Sequence, residues 1–214
     1  MSVPFTRISR RALMLSAPLV VTGCGVSPGQ FGWTAGGGDY GALNDNGVTI
    51  PALNLGAIDS SFVRQPVTWR GAERPGNVVV DVPQRYLYVV QHGGRAMRYA
   101  VGVGRDEVSN FHGSALIGRK ERWPPWRPTP QMMALMPEYR AYAGGMPGGI
   151  GNPLGARALY LYSGGQDTYF RLHGTNEPDS IGQAVSSGCV RLFNQDIVDL
   201  YNRVPLGAVV TVIA

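Results

Sequence analysis

The sequence predicts a mainly β domain of packed mixed sheets with one or two short helices, on three observations. From Asn77 onward, apolar residues cluster in short runs rich in Val, Ile, Leu and Tyr instead of recurring at helical spacing. These runs are cut repeatedly by turn formers, the chain holding 30 Gly and 16 Pro in 214 residues. Only two segments carry helix start and stop signals.

The elements follow in order. Val78 to Val82 reads as a strand ended by Pro83, and Tyr86 to Val90 with Met97 to Val103 reads as a hairpin turned at Gly93-Gly94. Further strands are expected at Ser114 to Lys120, Ala158 to Tyr162, Tyr169 to His173, Val190 to Phe193 and Ala208 to Ile213. Thr129-Pro130 starts a short helix that runs through Met136 and is ended by Pro137. Asn194 is the expected N-cap of a second helix, with Ile197, Leu200, Tyr201 and Val204 at helical spacing before Pro205 and Gly207 stop the run. The tract Trp123 to Pro130 and the Gly-rich run Gly144 to Gly155 are long irregular segments, readable either as walls of a site or as cover for the core. No residue in them is singled out for chemistry.

Upstream of these strands the chain divides into three parts. Residues 1–23 read as an export signal: Arg7, Arg10 and Arg11 form a positive n-region, and Ala12 to Val21 is apolar but too short to span a bilayer. Residues 24–47 contain eight glycines with no apolar periodicity and read as a flexible tether. Residues 48–75, with Val48, Ile50, Leu53, Leu55, Ile58, Phe62, Val63 and Val67, read as an extension packed on the main domain at 76–214.

Composition narrows the function classes. The formal charge is +5, but Arg7, Arg10 and Arg11 supply three of these charges with no acid before residue 24. The remaining chain, near +2, carries no nucleic-acid footprint. His92 and His112 have no metal-ligand spacing with each other or with His173, so no metal is expected. The glycine runs Gly102-Val103-Gly104-Arg105 and Gly144 to Gly151 lack the strand, loop and helix context of a phosphate loop, so neither nucleotide nor other cofactor is expected.

The chemistry concentrates in two segments, Leu172-His173-Gly174-Thr175-Asn176 and Ser186-Ser187-Gly188-Cys189-Val190-Arg191-Leu192. A thiol attacks a carbonyl as thiolate, and an imidazole is suited to take its proton and return it to a leaving amine. Gly188 permits a tight bend that aims backbone N–H groups of Ser187, Gly188 and Cys189 at a developing oxyanion. A second reading stands beside this one: Cys189 as a small buried hydrophobe and His173 as a satisfied core histidine.

The stretch His-Gly-Thr-Asn followed by Ser-Ser-Gly-Cys-Val-Arg-Leu resembles the signature of L,D-transpeptidases with a YkuD-type catalytic domain. The resemblance extends over roughly Pro75 to Ile213 through Gly76 to Asp81, Ile117 to Lys120, Trp123 to Pro130 and Ile150 to Gly155. Many members carry a second histidine where this chain has Ser187, which leaves the proton chemistry to His173. The resemblance implies a β-sandwich with the cysteine at the mouth of a cleft. It also implies acyl transfer on peptidoglycan stem peptides, with Cys189 as nucleophile, His173 as acid and base, and the Gly174 carbonyl orienting the imidazole. Arg191 is expected to pair with a stem carboxylate or, alternatively, to form a surface salt bridge. The acceptor is expected to be a stem diaminopimelate amine or a lysine of an outer-membrane protein. Water as acceptor would make the protein a carboxypeptidase or endopeptidase, and a non-catalytic peptidoglycan-binding module is the rival class.

Ser9-Arg10-Arg11-Ala12-Leu13-Met14 resembles a twin-arginine export motif, and Val21-Thr22-Gly23-Cys24 resembles a lipobox. The implied product is a lipoprotein anchored through Cys24 in the cell envelope, facing the periplasm, with the outer membrane favoured. Cys24 and Cys189 are the two cysteines of the chain, so lipidation of the first also keeps the second from a disulfide.

Overall fold

Short β-branched and aromatic runs pair into one large mixed sheet in a computed structural model that describes residues 39–105 and 109–213. Its strands are β3 (Gln65–Thr68), β4 (Val78–Asp81), β5 (Tyr86–Gln91), β6 (Arg95–Ala100), β8 (Gly113–Arg122), β9 (Arg157–Ser163), β10 (Gln166–His173), β12 (Val190–Arg191) and β13 (Val209–Ile213). They lie in the order β12-β10-β9-β8-β13-β4-β5-β6-β3, antiparallel except where β13 meets β4 and β12 meets β10. The hairpin between β5 and β6 turns at Gly93 and Gly94, both with positive φ. Val80, Leu87 and Tyr99 from one half of the sheet share a core with Leu159, Leu161 and Leu172 from the other. The sheet therefore bends over on itself and gives the packed mixed-sheet architecture expected from the sequence.

Two helices complete the domain. Helix α1 (Pro130–Leu135) begins as the sequence indicates, with Thr129 accepting the Met132 N–H at 3.1 Å and Pro130 in the first turn. Helix α2 (Asn194–Arg203) buries Ile197 and Leu200 against the sheet. Its N-cap is Phe193, one residue earlier than expected, and no side chain caps it. Asn194 is diverted to tertiary bonds: its Oδ1 accepts from Ala156 N at 2.9 Å and its Nδ2 donates to Thr175 O at 2.8 Å.

The expected tether, 24–47, overlaps the described residues only at its end, and there the expectation fails. Residues 39–47, read as its end, are packed: Tyr40 is buried against Phe193 and donates to Asp196 at 2.8 Å. Strands β1 (Leu43–Asp45) and β2 (Val48–Ile50) form a hairpin whose turn, Asn46-Gly47, has φ of 53° and 85°. That is the type I′ geometry its Asn-Gly pair favours, a signal hidden by the surrounding glycines. Asp45 of this hairpin clamps the buried Arg157 with a bidentate pair. From Tyr40 to Arg64 the chain then lies over Ala100, Ile181 and Phe193 through Leu53, Ile58, Phe62 and Val63.

Candidate active site

Two strands distant in sequence bring the predicted pair together. β10 runs parallel to β12 with Leu172 opposite Val190 and His173 opposite Arg191. Leu172 and Val190 point into the core. The alternation of a strand therefore turns Arg171 and His173, and beside them Cys189 and Arg191, to the other face. Strand β12 is held from its second side by Gly102, which exchanges both backbone bonds with Arg191 at 2.9 and 2.8 Å. The preceding loop is pinned through β11 (Ala184–Ser186), which pairs in parallel with β7 (Val103–Gly104). The cysteine thus sits in a short loop fixed at both ends.

Within that loop, Ser186 Oγ accepts the Gly188 N–H at 3.1 Å and donates to the Cys189 carbonyl at 2.7 Å. Gly188 has φ of 121°, and a Cβ there would collide with the Ser109 carbonyl and lie 2.9 Å from Phe170 Cε1. Only glycine passes this point without strain. On the other side of the thiol, β10 bulges between Asp167 and Arg171. Asp167 accepts the Tyr169 N–H at 2.8 Å and grips the Arg171 guanidinium at 2.7 and 2.9 Å. The Tyr169 carbonyl lies 3.9 Å from Cys189 Sγ, and the Arg171 N–H also bonds to the cysteine.

The Gly174 carbonyl can only accept a hydrogen bond, and it lies 2.6 Å from His173 Nδ1. That assigns the proton to Nδ1 and leaves the Nε2 lone pair available as a base. Burial drives the imidazole pKa down to about 4, opposed by the Gly174 bond and reinforced by the positive Arg191 and Arg171. Desolvation also pushes the Cys189 thiol up although the residue is only part-buried, outweighing the Arg171 N–H and the two guanidiniums, which pull it down. Desolvation thus favours the uncharged form of both groups, a neutral thiol beside a neutral imidazole at neutral pH.

Other predicted residues fall as follows. Gly174 is in contact with the imidazole, as its expected orienting role requires. Ser187 is exposed beside the thiol. The N–H of Gly188 is given to Ser186, so the expected oxyanion donor at this position is already engaged, and Ser187 and Cys189 N–H remain as the candidates for that role. Arg191 is paired with Glu177 at 2.7 Å, a carboxylate that is itself 61% exposed. Cys24 lies outside the described residues. Sequence reasoning missed Asp167, Tyr169, Arg171 and Ser186, because a bulge and a side-chain bridge leave no periodic signal. Among the described residues no three His, Cys, Asp or Glu side chains converge as a metal site. A cleft of about 350 Å³ lies away from the thiol, beside Trp69, Tyr88 and Asp81.

The model of the YkuD family, the L,D-transpeptidase catalytic domain, matches residues 75–212. The probable L,D-transpeptidase YbiS of Escherichia coli K12 is 34% identical over 139 residues, covering 62% of this chain and 42% of that protein. A putative L,D-transpeptidase of Fuscovulum blasticum is 34% identical over 137 residues, covering 64% of this chain and 68% of its own length. This chain therefore matches about two-fifths of the YbiS length and two-thirds of the Fuscovulum protein. A solved structure from Brucella melitensis, described as a probable carnitine operon oxidoreductase, is 46% identical with a TM-score of 0.50, covering 72% of this chain and 95% of that one. With the family model spanning both site segments and the β10–β12 frame that joins them, the chain belongs to the YkuD family of L,D-transpeptidase catalytic domains.

Proposed function

We propose that the protein is a cysteine-dependent L,D-transpeptidase of peptidoglycan stem peptides. What carries this reading is the β10–β12 register, which turns Cys189 and His173 to one face with His173 Nδ1 bound to the Gly174 carbonyl. As Cys189 Sγ attacks the carbonyl between the third stem residue and the terminal D-alanine, His173 Nε2 takes the thiol proton. The N–H groups of Ser187 and Cys189 face the oxyanion, each such donor contributing typically about 3 kcal/mol. The tetrahedral centre collapses, the C–N bond breaks, and His173 passes the proton to the departing D-alanine amine. A thioester on Cys189 remains.

An amine then attacks the thioester, loses a proton to His173, and the thiol is regenerated by that proton. A diaminopimelate side chain of a second stem as acceptor gives a crosslink, and a lysine of an envelope protein gives covalent anchoring. Arg191 serves as the carboxylate site for the donor stem, its exchange from the exposed Glu177 requiring little desolvation. The chain is anchored through lipidated Cys24 with its catalytic domain in the periplasm, the outer membrane being favoured.

The test is mass spectrometry of the protein mixed with purified tetrapeptide muropeptides. The wild type gains the mass of the acyl donor less D-alanine, and Cys189→Ala gains nothing. His173→Ala lowers transfer nearly as far, and the double variant is scarcely worse than either single one, because the two act as a unit. Normal transfer by Cys189→Ala would overturn the assignment.

A further inference from the structure

We propose that Tyr169 is a substrate-contact residue, its ring forming the wall against which an aliphatic part of the acyl-donor peptide packs beside the scissile carbonyl. The inference rests on the transpeptidase reading for the identity of that peptide, and on the structure for the position and exposure of the residue.

Three observations carry it. Tyr169 has φ of 64°, a left-handed conformation that costs every residue but glycine, and that asparagine or aspartate tolerate better than an aromatic. Its side chain is 80% exposed and lies outside the core, facing the Arg171 guanidinium at 5.9 Å. The conformation is nevertheless firmly specified: Asp167 accepts the Tyr169 N–H, and Thr168 Oγ1 accepts the Phe170 N–H at 3.2 Å while donating to the Leu161 carbonyl at 2.7 Å. A glycine would satisfy the same bonds at lower cost. A bulky aromatic at a strained and solvent-exposed point, next to a reactive group, is the pattern expected when function offsets the strain.

Position says what the ring meets. The Tyr169 carbonyl is 3.9 Å from Cys189 Sγ, so a peptide whose carbonyl reaches the sulfur passes within one residue's span of Tyr169. The ring lies 5.9 Å from the Arg171 guanidinium carbon, and that guanidinium acts on both Cys189 and His173. Arg171 itself is held by Asp167 and stacked over Tyr160 at 4.4 Å. The residue that carries this exposed ring therefore borders the thiol through its main chain. The contact is made by the ring face, so the hydroxyl is dispensable.

The full chain tests this with three readouts. Tyr169→Gly relieves the strain, and the melting midpoint rises by about 2 °C or more. The rate at which iodoacetamide alkylates Cys189, followed by mass spectrometry of that peptide, stays within about twofold. KM for a disaccharide tetrapeptide rises about tenfold, and binding of the same ligand to a Cys189→Ala background weakens equally, a loss typical of one apolar contact. Tyr169→Phe restores both. Unchanged KM and binding in Tyr169→Gly would overturn the proposal, as would an alkylation rate that falls in step with transfer, which would make Tyr169 a wall of the thiol pocket alone. If the wild type transfers nothing but binds the tetrapeptide in a Tyr169-dependent way, the transpeptidase reading fails while the contact stands. If it binds no tetrapeptide, both fail.

Discussion

At the scale of single residues, burial decides the chemistry of the pair. A thiolate and an imidazolium attract each other, but desolvation disfavours both charges, raising the Cys189 thiol and lowering His173 to about 4. In the proposed mechanism the proton is therefore transferred as the sulfur attacks, with His173 in its basic form throughout the neutral range. The acid limb of kcat/KM is expected with a midpoint below pH 5, well under the 6.5 of a free imidazole; an acid midpoint near 6.5 would contradict the buried, neutral His173. Stability follows the same shift. Between about 4 and 6.5 the unfolded chain binds a proton that the folded chain refuses, so this residue's contribution is complete above pH 6.5 and is lost as pH falls through 4. His173→Gln should flatten that part of a denaturation profile measured against pH.

At the scale of elements, helix α2 is the brace of the histidine segment. Asn194 joins the start of β9 to the chain just after β10 through Ala156 and Thr175, and Gly155 and Gly174 have no space for a Cβ because its Oδ1 lies there. Gly174 is the residue whose carbonyl holds the imidazole. Asn194→Ala leaves a buried donor and a buried acceptor unpaired, which costs on the order of 2–4 kcal/mol. Urea denaturation is expected to show a lowered midpoint with an unchanged slope, and kcat is expected to fall because the Gly174 carbonyl loses its fixed place. Asn194→Asp retains the acceptor for Ala156 and should lie between the two. The other side of α2 carries Arg64 on Asp196 at 3.0 Å, so the helix is clamped between site and extension.

At the scale of the whole molecule, the catalytic sheet and the N-terminal extension form a continuous packed surface from Tyr40 to Phe193. The first described core residue, Tyr40, stands sixteen residues after Cys24 in the sequence. Two acyl chains suffice for stable membrane attachment. Cys24→Ser should move the protein from the membrane to the soluble periplasmic fraction while the rate of Cys189 alkylation and the melting midpoint stay the same. Wild-type protein found soluble, with an unmodified residue 24, would remove the lipid anchor from the proposal.

The sequence by itself determined the β character of the domain, most strand positions from Val78 onward, the helix that follows Phe193, and the two segments that hold His173 and Cys189. These are local properties: β-branched runs, turn residues and helical spacing act over a few positions and can be read there. The tertiary structure alone decided that β12 lies parallel to β10, because strands from distant segments are matched by burial of Leu172 and Val190, not by any neighbour in sequence. It also decided that Asn194 leaves its capping position for Ala156 and Thr175, since a buried N–H and carbonyl outcompete a solvated helix end. The bulge at Tyr169, the pairing of Arg191 with Glu177 and the resting neutrality of the site are of the same kind. Each depends on burial or on contacts that exist only once the chain has folded.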